Sequence, residues 1–218
     1  MVKESFNKLH KIPIHESGEP LWDIKKHCPK VFIKIWGIRK REKSFYARKS
    51  VVLKLQKVQK LLPDGYFLRV TDAYRPPKIQ KHYYEKEYRR IKKRYPRWSE
   101  QRIKTLQNKL VYPPHFDTPP HSTGGSLDIT LTKDLKIGKS LKMNCRKVPK
   151  HEQNKIFSKK IPEYIQKNRE ILFKAMKKAG FSNYSKEWWH WSYGDRGWAM
   201  RENKKFAIYG TVPENLPH

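Results

Sequence analysis

Between residues 51 and 62 apolar side chains recur at Val51, Leu55, Val58 and Leu62. Steps of three and four residues make one face of a helix, so the pattern predicts a helix from Ser44 to Leu62, stopped by Pro63-Asp64-Gly65. The pattern then changes. Tyr66–Thr71 is short, aromatic and β-branched, which predicts a strand, and the prolines of Asp72-Ala-Tyr-Arg75-Pro-Pro77 turn the chain out of the sheet. Helical spacing returns over Ile79–Tyr95, with Tyr84, Tyr88, Ile91 and Tyr95 on one stripe and Lys and Arg on the other. Ser99 is placed to cap a further helix carrying Ile103, Leu106 and Leu110.

Val111–Gly125 is rich in Pro and Gly and reads as a loop leading into a strand at Ser126–Leu131. Lys133–Lys160 is polar and without a clear period, so it reads as loop with short turns. Pro162–Ala179 is the clearest helix, with Ile165, Leu172, Met176 and Ala179 on one face, proline at its start and Gly180 past its end. Glu187–Tyr193 and Phe206–Tyr209 read as closing strands, and Tyr193–Arg196 as a turn with an ion pair. The order of elements predicts an α+β fold, a small and mainly antiparallel sheet flanked by helices. With no internal repeat and no long Gly/Ser linker, residues 1–218 read as a single domain.

Composition adds a strongly cationic surface. Fifty Lys and Arg stand against twenty Asp and Glu in 218 residues, a net charge of +30. The excess runs through the body of the chain, with 12 basic and 3 acidic residues in Lys78–Leu110 and 15 against 4 in Lys133–Lys178. Such a field attracts anionic polymers without choosing among them. Aromatics at 13% argue for a packed core and against disorder. Cys28 and Cys145 lie far apart with no Cys-x-x-Cys pattern, and read as two free structural thiols. No stretch approaches the ~20 apolar residues of a membrane helix. The first twenty residues lack a signal-peptide core, which places the expectation in the cytoplasm, with a periplasmic or wall location still open.

Reactive residues concentrate in three places. His121-Ser-Thr-Gly-Gly-Ser-Leu-Asp128 pairs a histidine and an aspartate across a glycine turn, with Ser126 and Asp128 on one face of the following strand. Glu187-Trp-Trp-His190 adds a second histidine and a carboxylate. Tyr74-Arg75-Pro76 puts a cation at a strand end. Singly, each has an ordinary structural role available. Jointly, two histidines and an aspartate are a three-ligand set for catalytic zinc, a nearby glutamate suits a general base, and an arginine suits an oxyanion. Geometry sets one demand. Glu187 and His190 are three apart and would point to opposite faces of a regular strand, so either Glu187 sits on the turn before it or a kink separates the two. The tryptophans at 188, 189 and 191 read mainly as core, with one ring bordering the pocket.

HSTGGSLD, EWWH continuing into SYGDRGWA, and Tyr-Arg-Pro, in that family's order and covering roughly residues 66–200, resemble the motifs of the D-alanyl-D-alanine dipeptidases. These are zinc peptidases of the family that includes the vancomycin-resistance dipeptidase and D,D-carboxypeptidases. The resemblance implies one zinc per chain on His121, Asp128 and His190, Glu187 as base and Arg75 as transition-state stabiliser. It implies hydrolysis of D-Ala-D-Ala in cell-wall peptide metabolism, with carboxypeptidase or endopeptidase action on peptidoglycan stem peptides as the alternative. The chain departs from the family pattern at Pro119, where a serine or threonine is usual, and at Ser126, where many relatives have alanine. Asp72, Asp117 and Glu152 are candidates to hold a substrate ammonium. A reading from another class, a basic nucleic-acid-binding module, draws on the interleaved aromatics and cations of YYEKEYRRIKKRYPRW.

Overall fold

A computed structural model describes residues 6–34, 37–39, 45–114, 118–145 and 148–212. In chain order the elements are α1 (Phe6–His10), β1 (Leu21–Asp23), α2 (Ile24–His27), β2 (Phe32–Ile33), β3 (Tyr46–Arg48), α3 (Lys49–Leu61), β4 (Phe67–Asp72), α4 (Pro77–Arg94), α5 (Glu100–Leu110), β5 (Ser126–Thr132), α6 (Lys150–Asn154), α7 (Glu163–Lys178), β6 (Ser182–Asn183), β7 (His190–Ser192) and α8 (Arg196–Arg201). β1 and β3 form a two-stranded sheet, and the main sheet has the order β2-β4-β5-β7-β6. Every pairing is antiparallel except β2 with β4. The α+β architecture with a mainly antiparallel sheet is therefore the one the pattern predicts.

Side-chain alternation divides the main sheet into two unlike faces. Leu68 and Val70 of β4, Leu127, Ile129 and Leu131 of β5 and Trp191 of β7 are fully buried, and they share one core with Val51, Val52, Leu55 and Val58 of α3 and Leu172 and Met176 of α7. The other face carries Arg69, Thr71, Asp128, Thr130 and His190. Leu68 pairs with Leu131 and Val70 with Ile129, after which the register of β4 shifts so that Asp72 lies opposite Asp128. This bulge turns the end of β4 toward the polar face.

Local differences from the predicted elements have physical causes. Tyr46–Arg48, expected as the first turn of a helix, instead pairs with Leu21–Asp23; tertiary pairing overrides the local pattern, and Ser44 lies outside the described residues. Phe206–Tyr209 is not a strand. Its rung among the described residues is Ala207 against Ile14, where Ala207 N–H donates to Pro13 O and His15 N–H to Ala207 O. The ladder ends because the N–H groups of Ile208 and Tyr209 turn to Gly194 O. Arg196–Arg201 is a helix, with Asp195 as its N-cap accepting from Trp198 N–H at 2.7 Å. On α4 the tyrosine stripe is half-buried, and Ile91 and Gln80 are its buried residues. The hydroxyls of Tyr84 and Tyr88 donate to Asn108 and Glu100, each at 2.6 Å, tying α4 to α5. Both cysteines are free, and burial pushes the Cys28 thiol up to about 11. No helix among the described residues is long and apolar enough to cross a membrane.

The polar stretch before α7 is organised by one buried cation. Arg169 of α7 is fully buried and donates to the carbonyls of Met143 (2.9 Å from Nε), Gln153 (2.7 Å) and Lys155 (2.5 Å). Its guanidinium also lies over the Trp188 ring, 5.0 Å from the centroid. Burial pulls its pKa down to about 10. Arg169→Leu strips these carbonyls of their donor, and urea unfolding is expected to show a loss of about 3 kcal/mol or more, at 1–3 kcal/mol for each buried group left unsatisfied.

Candidate metal centre

Three segments meet on the polar face. Pro120–Thr123 forms a 3-10 turn ended by Gly124 at φ 72°. A Cβ at Gly125 would lie 2.5 Å from Tyr193 O, so the turn can close on β7 only with glycine at this position. His121, buried on this turn, has Nδ1 at 3.0 Å from Ala73 O. A carbonyl only accepts, so Nδ1 carries a proton, and Nε2 is turned to Asp128, 3.4 Å from its Oδ1. The chain leaving β4 is fastened to this turn: Arg75 N–H donates to His121 O at 3.0 Å and the Ser122 hydroxyl donates to Arg75 O at 2.8 Å.

β7 delivers the second imidazole. Its register with β5 sets His190 opposite Asp128, with His190 Nδ1 at 3.2 Å from Asp128 Oδ1. Glu187 lies on the turn before β7. Its N–H donates to Tyr184 O at 2.8 Å and its carbonyl accepts from His190 N–H at 3.0 Å, which releases it from strand alternation as the spacing demands. The Asn183 amide clamps this turn by donating to the carbonyls of Glu187 (3.1 Å) and His190 (2.9 Å). Trp191 points into the core and Trp188 is buried against Arg169 and Asn144, while half-buried Trp189 lines the cleft.

One ligand atom from each of His121, Asp128 and His190 lies within 4.8 Å of the others. Arg75 is fixed beside them. Its Nε and one terminal nitrogen donate to Asp72 Oδ2 (3.2 Å from Nε), and the other terminal nitrogen donates to Gln80 Oε1 at 2.7 Å. Asp72 also accepts from Arg39 at 3.1 Å. The ammonium role considered for Asp72 is therefore already taken by guanidinium partners. Glu152 holds Lys155 and Ser158, and Asp117 lies outside the described residues. A cleft of about 560 Å³, lined in part by Arg69, Thr130 and Trp189, and a second of about 340 Å³ beside Arg39 and Tyr83 share Thr71 and Asp128.

The charges settle one another. Burial works against the Asp128 carboxylate, but His121 and His190 hold it well below the usual range. Burial also works against a charged His190, yet Asp128 carries its pKa upward. Desolvation raises Glu187, which feels His190, Asp128, His121 and Arg75. Arg75 is desolvated too, and its pair with Asp72 more than restores its charge.

Sequence reasoning missed Asn183, which it passed over, and Asp195, which it read as part of a turn. The signal for Asp195 is an acidic residue just before Arg196-Gly-Trp-Ala, an N-cap position. Asn183 acts only through a fold-dependent turn and carries no signal of its own.

Two imidazoles and a carboxylate at a cleft, beside a glutamate and an arginine, form the donor pattern of a metallopeptidase centre. Comparison with known proteins supplies the family. Residues 23–208 match the M15 peptidase family, described as D-ala-D-ala dipeptidase, and the chain belongs to that family. It is 30% identical to a D-alanyl-D-alanine dipeptidase of Synechocystis sp. over 92% of this chain and 95% of that protein. A D-alanyl-D-alanine dipeptidase of Escherichia coli is 34% identical over 70 residues, 32% of this chain and 35% of that protein. Among solved structures, a vancomycin-resistance D,D-pentapeptidase VanY variant in complex with Zn(II) is similar at TM-score 0.47 and 14% identity, over 76% of this chain and 83% of that one.

Glu187 yields a stability prediction with a definite sign. Its folded pKa lies above its unfolded value, so the folded protein binds the proton more tightly and stability falls as pH rises between the two. Glu187→Gln is expected to raise the stability of chelator-treated protein at pH 7, where the wild-type carboxylate is charged against the desolvation that raises its pKa. Thermal melts should show the gain vanishing below about pH 4, where both states hold the proton.

Proposed function

We propose that this chain is a zinc-dependent dipeptidase that hydrolyses D-Ala-D-Ala, with zinc held by His121, Asp128 and His190, Glu187 as general base and Arg75 as oxyanion stabiliser. The convergence of the three ligand atoms within 4.8 Å carries this reading. The donor set fits zinc: two nitrogens and one carboxylate oxygen suit it, whereas magnesium and calcium take oxygen shells. The Nδ1 of His121 is engaged by a backbone carbonyl, as second-shell partners of zinc-bound histidine usually are.

When bound, zinc supplies the Lewis acid that acidifies water and polarises the scissile carbonyl. The protein's own groups do the rest. The Glu187 carboxylate, made more basic by burial, takes the proton of the attacking water and passes it to the leaving amine. Arg75 cannot swing away while Asp72 and Gln80 hold it, so its charge is in place before the oxyanion forms. Trp189 forms a wall of the cleft and limits water on that side.

A D,D-carboxypeptidase or endopeptidase acting on stem peptides is the second reading. It is favoured by a cleft that runs to both sides of Asp128, which leaves room beyond a dipeptide. The nucleic-acid reading is the less favoured one, because the rings it would use are half-buried and already engaged. Tyr95 and Trp98 stack on each other at 4.0 Å, with Arg102 at 4.0 Å over Trp98. The +30 charge adds long-range attraction to anionic wall polymers under either peptidase reading.

Metal analysis together with amine release from D-Ala-D-Ala and from a D-Ala-D-Ala-terminated pentapeptide tests these readings. Wild type is expected to bind one zinc and turn over the dipeptide, and Glu187→Ala to keep zinc and lose turnover. Turnover of the pentapeptide alone would shift the substrate to stem peptides, and protein without zinc would remove the centre altogether. Arg75→Ala is expected to keep zinc and lose about 10²–10³ in kcat, ~3–4 kcal/mol of barrier, the usual cost of one oxyanion donor. Loss of zinc in that variant would make Arg75 a structural residue.

A further inference from the structure

Arg69 lies on the polar face of β4, opposite Thr130 of β5, and lines the larger cleft. It is only 8% exposed. Its Nε donates to Gly138 O at 2.8 Å. The turn that presents this carbonyl is held by Asp134, whose Oδ1 accepts from the N–H groups of Lys136 and Ile137 at 2.7 and 3.0 Å. Among the described residues the two terminal nitrogens of Arg69 have no hydrogen-bond or ion-pair partner.

The other buried arginines are matched. Arg39 pairs with Asp72 and Arg48 with Glu16, each at 3.1 Å, and Arg169 is spent on carbonyls. A desolvated guanidinium with two open donors is costly to keep, and burial pulls the Arg69 pKa down. The hydroxyls beside it are committed, since Thr71 donates to Asp128 O at 3.1 Å and Thr130 bonds Ser140 at 3.0 Å. Lys142, exposed on the rim of the same cleft, adds a second positive charge. Asp128 is the one carboxylate among the described residues lining this cleft, and two imidazoles flank it. An ammonium entering here would meet like charge. A carboxylate would find a planar fork of two donors, the geometry it fits best.

We propose that the terminal nitrogens of Arg69 form a carboxylate subsite, which receives an anionic group of the peptide substrate one residue from the scissile bond. Thr130 lies two residues along β5 from Asp128, about 7 Å at ~3.3 Å per residue. One extended residue of substrate, ~3.5 Å, and one charge-assisted hydrogen bond, ~2.8 Å, cover that step. The carboxylate has two sources, the C-terminus of the leaving residue or an acidic group on the acyl side. The place of the scissile bond rests on the peptidase reading above, while carboxylate binding can be measured without turnover.

Three peptides separate the sources: acetyl-D-Ala-D-Ala, its uncharged C-terminal amide, and succinyl-D-Ala-D-Ala amide, whose one carboxylate is on the acyl side. Wild type is expected to prefer one of the two acids over the uncharged amide by about 10–100-fold in kcat/KM, the worth of a hydrogen bond to a charged group. Preference for acetyl-D-Ala-D-Ala assigns the subsite to the C-terminus, and preference for the succinyl peptide assigns it to the acyl side. Arg69→Gln is expected to erase the preference. Arg69→Lys, which keeps the charge without the fork, should retain part of it and serves as the test where Arg69→Gln does not fold.

Equal losses on all three peptides in Arg69→Gln would make Arg69 a brace for the Gly138 turn and overturn the subsite. So would a wild type that handles the uncharged amide as well as both acids. Calorimetric titration of the same peptides into chelator-treated protein reads the subsite without catalysis, with the same preference expected in affinity and lost in Arg69→Gln. If wild type hydrolyses neither these peptides nor D-Ala-D-Ala, the peptidase reading falls and the titration alone judges the subsite.

Discussion

The register of β5 against β7 is the constraint on which the rest of the centre depends. It puts Asp128 opposite His190 and Leu127 opposite Trp191, so one pairing serves two opposite needs. Leu127 and Trp191 enter the core against α7, while the ionisable pair faces the cleft. A slip of one residue would exchange these sets, burying a carboxylate and an imidazole among aliphatic side chains and turning leucine and tryptophan to water. Burial of the apolar set therefore sets the position of the polar set. The third ligand depends on the same register, because the turn carrying His121 closes onto Tyr193 through Gly125, one residue beyond the end of β7.

Gathering ionisable groups in a half-closed site is costly unless each has a partner. Here the partners are arranged in layers. Asp128 is flanked by two imidazoles, Arg75 is matched by Asp72, and Asp72 is shared with Arg39. Among the described residues Glu187 is the member without a compensating cation of its own in direct contact, and desolvation raises its pKa. That imbalance suits a group that must accept a proton and return it. The site thus places its least satisfied charge where proton transfer is required, and its best satisfied charges where geometry must not move.

Much of this was legible in the sequence, for identifiable reasons. The helices with a sustained period, around Leu55, Ile103 and Leu172, were placed to within a few residues, since their apolar faces are the ones the core consumes. The strand carrying Asp128 followed from its period. The pattern alone ran a closing strand from Glu187, and only the demand of the metal site moved Glu187 off β7, which begins at His190. What stayed hidden depends on partners distant in sequence. Tyr46–Arg48 became a strand because Leu21–Asp23 lies beside it, and the carbonyls of Met143, Gln153 and Lys155 converge on Arg169, a cation that no local pattern marks out. Ser192 carries no signal in the sequence, and only the register brings it opposite Ser126.

Arg169 links that hidden organisation to the centre. It fastens the carbonyls of Met143, Gln153 and Lys155 to α7 and lies over Trp188. Chain neighbours of these carbonyls in turn hold Trp188 twice, with Asn144 Oδ1 on its indole N–H at 3.0 Å and Asn154 O on its backbone N–H at 2.8 Å. Trp188 directly follows Glu187, and Asn183 clamps the carbonyls on either side of it in the same turn. The base is therefore held by neighbours whose own positions are fixed by packing, without a side-chain bond to its carboxylate that would have to break during catalysis. Rigid backbone with a lightly satisfied carboxylate is the combination proton transfer needs, and here the tryptophan core supplies the rigidity.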